Sequence, residues 1–384
     1  MNAVRRLSFF CAAIIAVLTI LRRQQLPTKN SATHGLVPLK KTARQCLEDF
    51  PELSNRHRSK SAILLAPPDG VYFVVTAPSY SETCGGCVSL HRLCDRLNVI
   101  YAHMRETPLC YVVPMLPESD PLPKMNPGYK TPMLPPWMDA SAGIAVYPEV
   151  LEGNPLNATR VIRWILYSPG INKAGTNSGP LASQFNPHDL IACFSAGFCA
   201  DFDPSTFYKL PLRILDYEFG HYINLPASEQ GGSSLLTFRA KKTFKSSRLG
   251  EVQVAPAFPV PENPLRDGGK RSRLEQYVRT KRFYTTDPAT LRCMEAAMAG
   301  TVSVVVPVPG VSKQEWLASA GDEYKYGVAY GEDDLPYALA SLPCALPFMI
   351  RKAAEERGVL GTFVRQALAF FDEAEAGKRG AGHG

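Results

Sequence analysis

Two doubly wound α/β domains in tandem, with a cleft between them, are what this sequence predicts, and three observations predict it. Short apolar runs bounded by turn residues recur along the 384 residues, as in strands buried on both faces. Stretches of helical period alternate with them, which implies parallel sheets covered by helices. A polar, Gly-rich break, PASEQGGSS at residues 226–234, separates two such sets, and no repeat of fixed period runs through either.

In chain order, GVYFVVTAPS (70–79) reads as a buried strand, and after the turn ending in Gly85 and Gly86 the stretch CVSLHRLCDRLN (87–98) reads as a helix, with Val88, Leu90, Leu93, Cys94 and Leu97 on one side. LCYVVPML (109–116) and AGIAVYPEV (142–150) read as further strands, and NATRVIRWILYSPG (157–170) as a helix closed by Pro169 and Gly170. HDLIACFSAGF and LPLRILDYEF complete the first set. The second set runs as a strand ending in a basic cluster, SLLTFRAKK (234–242), then helix and strand in SRLEQYVRTKRFYTTD (272–287), a helix in PATLRCMEAAMAG, and the strand TVSVVVPV. SKQEWLASAG, YKYGVAYG and EDDLPYALASL follow as helix, strand and helix, and a last helix spans about 345–374. The expected divisions are a first α/β domain over 66–222, a second over 223–345, a C-terminal helix over 346–375 and a disordered tail over 376–384.

Residues 1–23 stand apart. An apolar stretch of 15 residues (7–21) lies between the pairs Arg5-Arg6 and Arg22-Arg23, and as a helix would span about 22 Å against a hydrocarbon core of about 30 Å. Snorkelling arginines bridge that gap, so the segment reads as a signal anchor, with a cleaved signal peptide and an organelle transit peptide as the rival readings. Residues 24–65 then read as a stem.

Net charge is +7, but eight basic residues precede the first acid, Glu48, and subtracting them leaves about −1 for residues 48–384. A near-neutral body gives no support to a nucleic-acid partner. Ten cysteines form no regular framework in a chain of this length. Cys84-Gly-Gly-Cys87 reads as half of a metal site or as a redox pair but lacks a second Cys-x-x-Cys or a His-x-His, and Cys193 and Cys199 read as core residues or a disulfide. The Asp201-Phe202-Asp203 triplet is a metal-binding pattern in form, but Pro204 follows it, and turn duty is the expectation. Asn157-Ala158-Thr159 is the one glycosylation acceptor.

The candidate chemistry gathers in two places. Gly85 and Gly86, where a strand hands over to a helix, let backbone amides approach a phosphate or sugar, or simply make a tight turn. His91, a turn into that helix, is a core histidine or a site residue. In the second set Pro288 suits a first helical turn, which puts Asp287 at the N-cap. Glu295 lies eight residues on, roughly 80° around the axis, and the amides of 289–291 between them are available to a diphosphate.

The segment DPATLRCMEAAMAG resembles the E-x7-E segment of retaining, nucleotide-sugar-dependent glycosyltransferases with the GT-B fold, with Asp287 in place of the first Glu. The resemblance extends to the Gly85-Gly86 loop and SLHRLCDRLN, to GNPLNATRVIRWILYSPG and to VSVVVPVPGVSKQEWL, in the same order over about 70–345. It implies that Glu295 holds the donor ribose, that Asp287 touches the transferred sugar, and that the backbone near Thr290 meets the β-phosphate. Arg239, Lys241 and Lys242 then neutralise the departing diphosphate, and His91 faces sugar or acceptor. It also implies a nucleotide-sugar donor and a glycan or glycoconjugate acceptor as partners, no metal and no bound cofactor, and residence in Golgi or ER membrane with a single type II span. A nucleotide-sugar epimerase or hydrolase of similar fold, and a silent sugar-binding scaffold, are the alternatives.

Overall fold

The computed structural model describes residue 46 and residues 66–115, 123–170, 182–215, 219–223, 234–238, 243–246, 250–253, 265 and 268–381. Residues 57–384 form one compact unit. The expected anchor at 1–23 lies outside the described residues, as does the expected stem at 24–65 apart from Cys46. Among the described residues no helix is long and apolar enough to cross a membrane.

The first sheet is parallel throughout. Its strands are β1 (Phe73–Ala77), β2 (Cys110–Pro114), β3 (Ile144–Pro148), β4 (Arg160–Ile165), β5 (Leu190–Cys193) and β6 (Lys209–Pro211). They lie in the order β2-β1-β3-β4-β5-β6. Phe73, Val74 and Val75 are fully buried, as a strand covered on both faces requires. Helix α1 (Gly85–Tyr101) follows β1 and buries Leu90, Leu93, Cys94 and Leu97, the stripe that the sequence predicts.

One prediction is overturned here. Residues 160–165 form β4 and not a helix, with Ile162↔Leu190 and Trp164↔Ala192 in register beside β5. The run Arg-Val-Ile-Arg-Trp-Ile is β-branched and aromatic, and it is buried between two strands. That setting outweighs a helical reading that took Pro169 and Gly170 as its stop signal. In consequence the described links between β2 and β6 carry only 3₁₀ turns, at Ala140–Ala142, Ala182–Gln184 and Gly197–Cys199. Among the described residues the first half thus shows a parallel sheet with one crossover helix of more than a single turn, α1.

The second sheet, also parallel, has the order β12-β11-β10-β7. It comprises β7 (Ser234–Phe238), β10 (Thr280–Thr285), β11 (Val302–Val305) and β12 (Val328–Tyr330). A hairpin that the sequence did not reveal, β8 (Thr243–Ser246) with β9 (Gly250–Gln253), follows β7. The helices of this half are α2 (Gly220–Ile223), α3 (Lys270–Val278), α4 (Arg292–Met298), α5 (Lys313–Ala320) and α6 (Leu335–Ser341).

Helix α7 (Ala345–Ala381) straps the two halves together and runs past the predicted end at 375. Phe348 packs on Tyr326 at 4.9 Å, and Lys352 pairs with Asp322 at 2.8 Å. Further along, Glu356 pairs with Arg96 of α1, Phe363 meets Phe73 of β1 at 6.4 Å, and Phe370 stacks on Tyr208 at 5.3 Å. The halves also touch directly. A Cβ on Gly197 would lie 2.9 Å from Ser319 Cβ of α5, so only glycine permits that approach.

Candidate functional site

A cleft of about 440 Å³ lies where the loops after β1, β3 and β4 face the segment after β10. Strand order in the first sheet reverses between β1 and β3, and crevices at the carboxyl ends of strands flanking such a switch are the usual ligand positions in open parallel sheets. Pro78 follows β1 and Glu149 follows β3; both line the cleft, as do Gly85 and Gly86. Across from them stand Lys270, Arg273, Asp287, Thr290 and Glu295. Glu82, on the loop before α1, spans to the far side and accepts the Lys270 amide at 3.1 Å, at the N-terminus of α3.

The glycine pair opens α1. Cys84 is its N-cap, and the Cys84 sulfur accepts the Cys87 amide at 3.2 Å. Cys84 is joined to Cys87 in a disulfide, the pairing that the second of its two readings, a redox pair, calls for. Cys94–Cys110 and Cys193–Cys199 are also disulfides.

Asp287 is not a helix cap. Helix α4 begins at Arg292, so Asp287 sits in a loop upstream and shares no helix with Glu295; the 80° relation does not apply. A relay of short bonds shapes this loop instead. Thr285 Oγ1 accepts the Asp287 amide at 2.9 Å, and Asp287 Oδ1 accepts the Ala289 amide at 3.1 Å. Trp316 Nε1 donates to the Pro288 carbonyl at 2.6 Å, and Thr290 Oγ1 accepts the Arg292 amide at 3.4 Å. Carboxylate bonding to an amide two residues on is ordinary Asx-turn chemistry, and with the Thr285 hydroxyl it gives this backbone side-chain partners that compete with a helix start.

Glu295 lies on α4 with both oxygens engaged. Arg273 grips it in fork geometry, Nε to Oε2 and Nη2 to Oε1, each at 3.0 Å. Arg292 Nη1 reaches Oε2 at 3.2 Å. Side-chain exposure is 1% for Arg273 and 14% for Glu295, so the triad is nearly dry. Burial pushes the Glu295 carboxyl up, but the bonds and charge of Arg273, with Arg292 behind them, hold it below the usual carboxylate range. A carboxylate accepts at about four lone-pair positions, and three are used here.

His91 is fully buried and touches the wall residues without lining the cleft. Its Nε2–H donates to the Pro78 carbonyl at 2.9 Å, and its ring meets Tyr80 edge to face at 5.5 Å. Burial pushes its pKa down, against the opposing pull of the Pro78 bond, so it stands as a neutral imidazole. Arg239, Lys241 and Lys242 lie outside the described residues. Asp203 accepts the Ser205 amide at 2.9 Å and hydroxyl at 2.7 Å, the turn role expected of it. Among the described residues no cluster of His, Cys, Asp or Glu is placed to hold a metal. Asn157 is exposed in a tight turn with φ of 50°, accessible as a glycan acceptor.

Lys270, Arg273 and Arg292 are the basic residues of the cleft, and the sequence alone singles out none of them. Arg292 stands three residues before Glu295, a spacing that signals an ion pair on a helix. Arg273 is 22 residues away on another helix, and nothing local announces it. Comparison with known proteins finds no family model, no curated protein and no solved structure that matches this chain.

Proposed function

We propose that this chain is a glycosyltransferase that moves a sugar from a nucleoside-diphosphate sugar to a glycan or glycoconjugate acceptor. In this reading the two sheets are the halves of a GT-B enzyme, held at Golgi or ER membrane by the N-terminal segment. The observation that carries it is the position of the 287–295 segment in the wall of a cleft, opposite Gly85 and Gly86. That is where the E-x7-E resemblance needs it.

Transfer breaks the bond between the anomeric carbon and the diphosphate oxygen and makes one to an acceptor hydroxyl. Positive charge builds on the sugar and negative charge on the departing diphosphate. Lys270 and Arg292, with Lys241 and Lys242, supply the compensating field without a metal, and a preorganised contact of this kind is worth about 3 kcal/mol. The remaining acceptor position of Glu295 takes a ribose hydroxyl, and the loop amides near Thr290 meet the β-phosphate. Asp287 faces the sugar across its turn.

A second reading, a sugar-nucleotide binder without transfer, is favoured by one observation: the Asp287 carboxylate is bonded to Ala289 and the Glu295 carboxylate to two arginines. Release of nucleoside diphosphate from a panel of nucleotide sugars, with and without glycan acceptors, separates the two. The transferase reading expects acceptor-dependent release, with Lys241→Ala lowering kcat by about 10²-fold and KM little changed. Binding without release for every donor leaves the second reading standing.

A further inference from the structure

Cys46 and Cys344 are disulfide-bonded, and of the three further pairs, Cys84–Cys87, Cys94–Cys110 and Cys193–Cys199, only the first faces the cleft. Cys94 and Cys110 are fully buried, and Cys193 and Cys199 are buried as well. Cys84 and Cys87, by contrast, are half-buried and line the cleft wall.

Their constraining value also differs. Cys94–Cys110 ties α1 to β2, and Cys193–Cys199 ties β5 to the turn after it. Cys84–Cys87 joins residues three apart within one turn, which the Val88 amide already closes by donating to the Cys84 carbonyl at 3.0 Å. It crosslinks no separate elements. Between the two sulfurs stand glycines only, with no side chain to screen them. The nearest atom to a Cβ built on Gly85 is Leu291 Cδ1 at 3.9 Å, and to one on Gly86 is Leu166 Cδ1 at 3.7 Å.

Its surroundings favour a thiolate. Cys84 caps a 17-residue helix, and its sulfur accepts the Cys87 amide; a helix N-terminus with such a donor stabilises negative sulfur. The same cleft is lined by Lys270, Arg273 and Arg292 and by the carboxylates of Glu82, Glu149, Asp287 and Glu295, the last paired with both arginines, so the helix terminus and the Cys87 amide are the groups that favour the thiolate.

We infer that Cys84–Cys87 is a thiol–disulfide exchange site, and that its redox partner is a low-molecular-weight thiol small enough to enter the cleft. In the reducing direction, a thiolate of the small thiol attacks Cys87 Sγ. A new S–S bond forms there, the Cys84–Cys87 bond breaks, and Cys84 Sγ leaves with the electron pair as the thiolate that the Cys87 amide holds. A second small thiolate attacks the sulfur of the first, forming their disulfide and releasing Cys87. The cysteines take up the two protons that the thiols gave up. Two electrons have passed to the pair, and two small thiols have become one disulfide; an excess of that disulfide drives the reverse.

The full chain, equilibrated with reduced and oxidised glutathione at a series of ratios, tests this when thiols are trapped by alkylation and each cysteine peptide is quantified by mass spectrometry. Cys84 and Cys87 are expected to open together, at least about tenfold faster than the two buried pairs, and to close again in oxidised glutathione. Opening of all three pairs at one rate, or of Cys84–Cys87 last, overturns the inference. Exposure alone would also give fast opening, so a second readout is the pH profile of alkylation once this pair alone is reduced. The Cys84 midpoint is expected below the free-thiol value of about 8.5, with Cys87 not below it. A Cys84 midpoint at or above that value makes the pair an exposed crosslink and overturns the inference as surely.

Discussion

Replacing Glu295 with glutamine is expected to lower stability by about 3–5 kcal/mol at neutral pH, because breaking a buried pair leaves its partners' charge uncompensated. Arg273 is buried, at 1% side-chain exposure, and Arg292 loses its bond to Glu295 in the same step. The pH dependence follows from the lowered Glu295 carboxyl. A folded-state pKa below the unfolded one means that the unfolded chain binds the proton more readily, so the stabilisation is fully present above the ordinary glutamate value of about 4.3. It is lost as pH falls through the lower, folded value. The gap between wild type and Glu295→Gln in denaturant midpoint is therefore expected to be wide at pH 7 and to narrow on acidification below about pH 4. Glu332, in an exposed pair with Arg282 at 3.5 Å, serves as the control, and its glutamine variant is expected to move stability by no more than about 1 kcal/mol. A loss below that at Glu295 would show that the triad is not the dry pair described.

The second large effect is expected at Trp316, a residue remote from the glycine loop that nevertheless sets the site. It is fully buried, stacks on Tyr330 at 4.8 Å, and its Nε1 holds the Pro288 carbonyl. Trp316→Ala is expected to cost about 3–5 kcal/mol through the cavity alone. Trp316→Phe keeps a six-membered ring against Tyr330 but loses the bond to Pro288 and part of the indole volume, so about 1–3 kcal/mol for a carbonyl left without a partner adds to a cavity cost smaller than that of Trp316→Ala. Ligand affinity, compared between the two variants, reads the loop positioning that stability alone does not. If Trp316→Phe matches wild type in both denaturant midpoint and ligand affinity, the tryptophan does not position the 287–291 loop.

Much of this architecture was legible because burial leaves a plain mark on short segments. The run around Val74 and the Leu90–Leu93–Leu97 stripe of α1 announce a strand and a helix, and the structure places both. β4 was not legible. Its six residues are followed by Pro169 and Gly170, which read as a helix stop, and only the neighbouring β3 and β5 decide the matter. The start of α4 was missed for a related reason. Pro288 favours a first helical turn, yet Thr285 and Asp287 offered the backbone side-chain partners that hold a loop instead. At the cleft, Asp287, Glu295, Gly85 and Gly86 were singled out from local pattern and Thr290 from the resemblance, and all five line it. Arg273 was not, since it reaches Glu295 only once α3 packs beside α4.

The central claim is that the cleft between Gly86 and the 287–295 segment takes a nucleoside diphosphate. Titration calorimetry of the full chain with uridine and guanosine diphosphates and their sugars tests it most directly, beside a Gly86→Phe variant that puts a ring into the cleft without altering any charge. The account predicts saturable one-to-one binding of at least one of these ligands, lost in Gly86→Phe while the denaturant midpoint is unchanged. No binding by any of them, or binding that Gly86→Phe leaves intact, would contradict it.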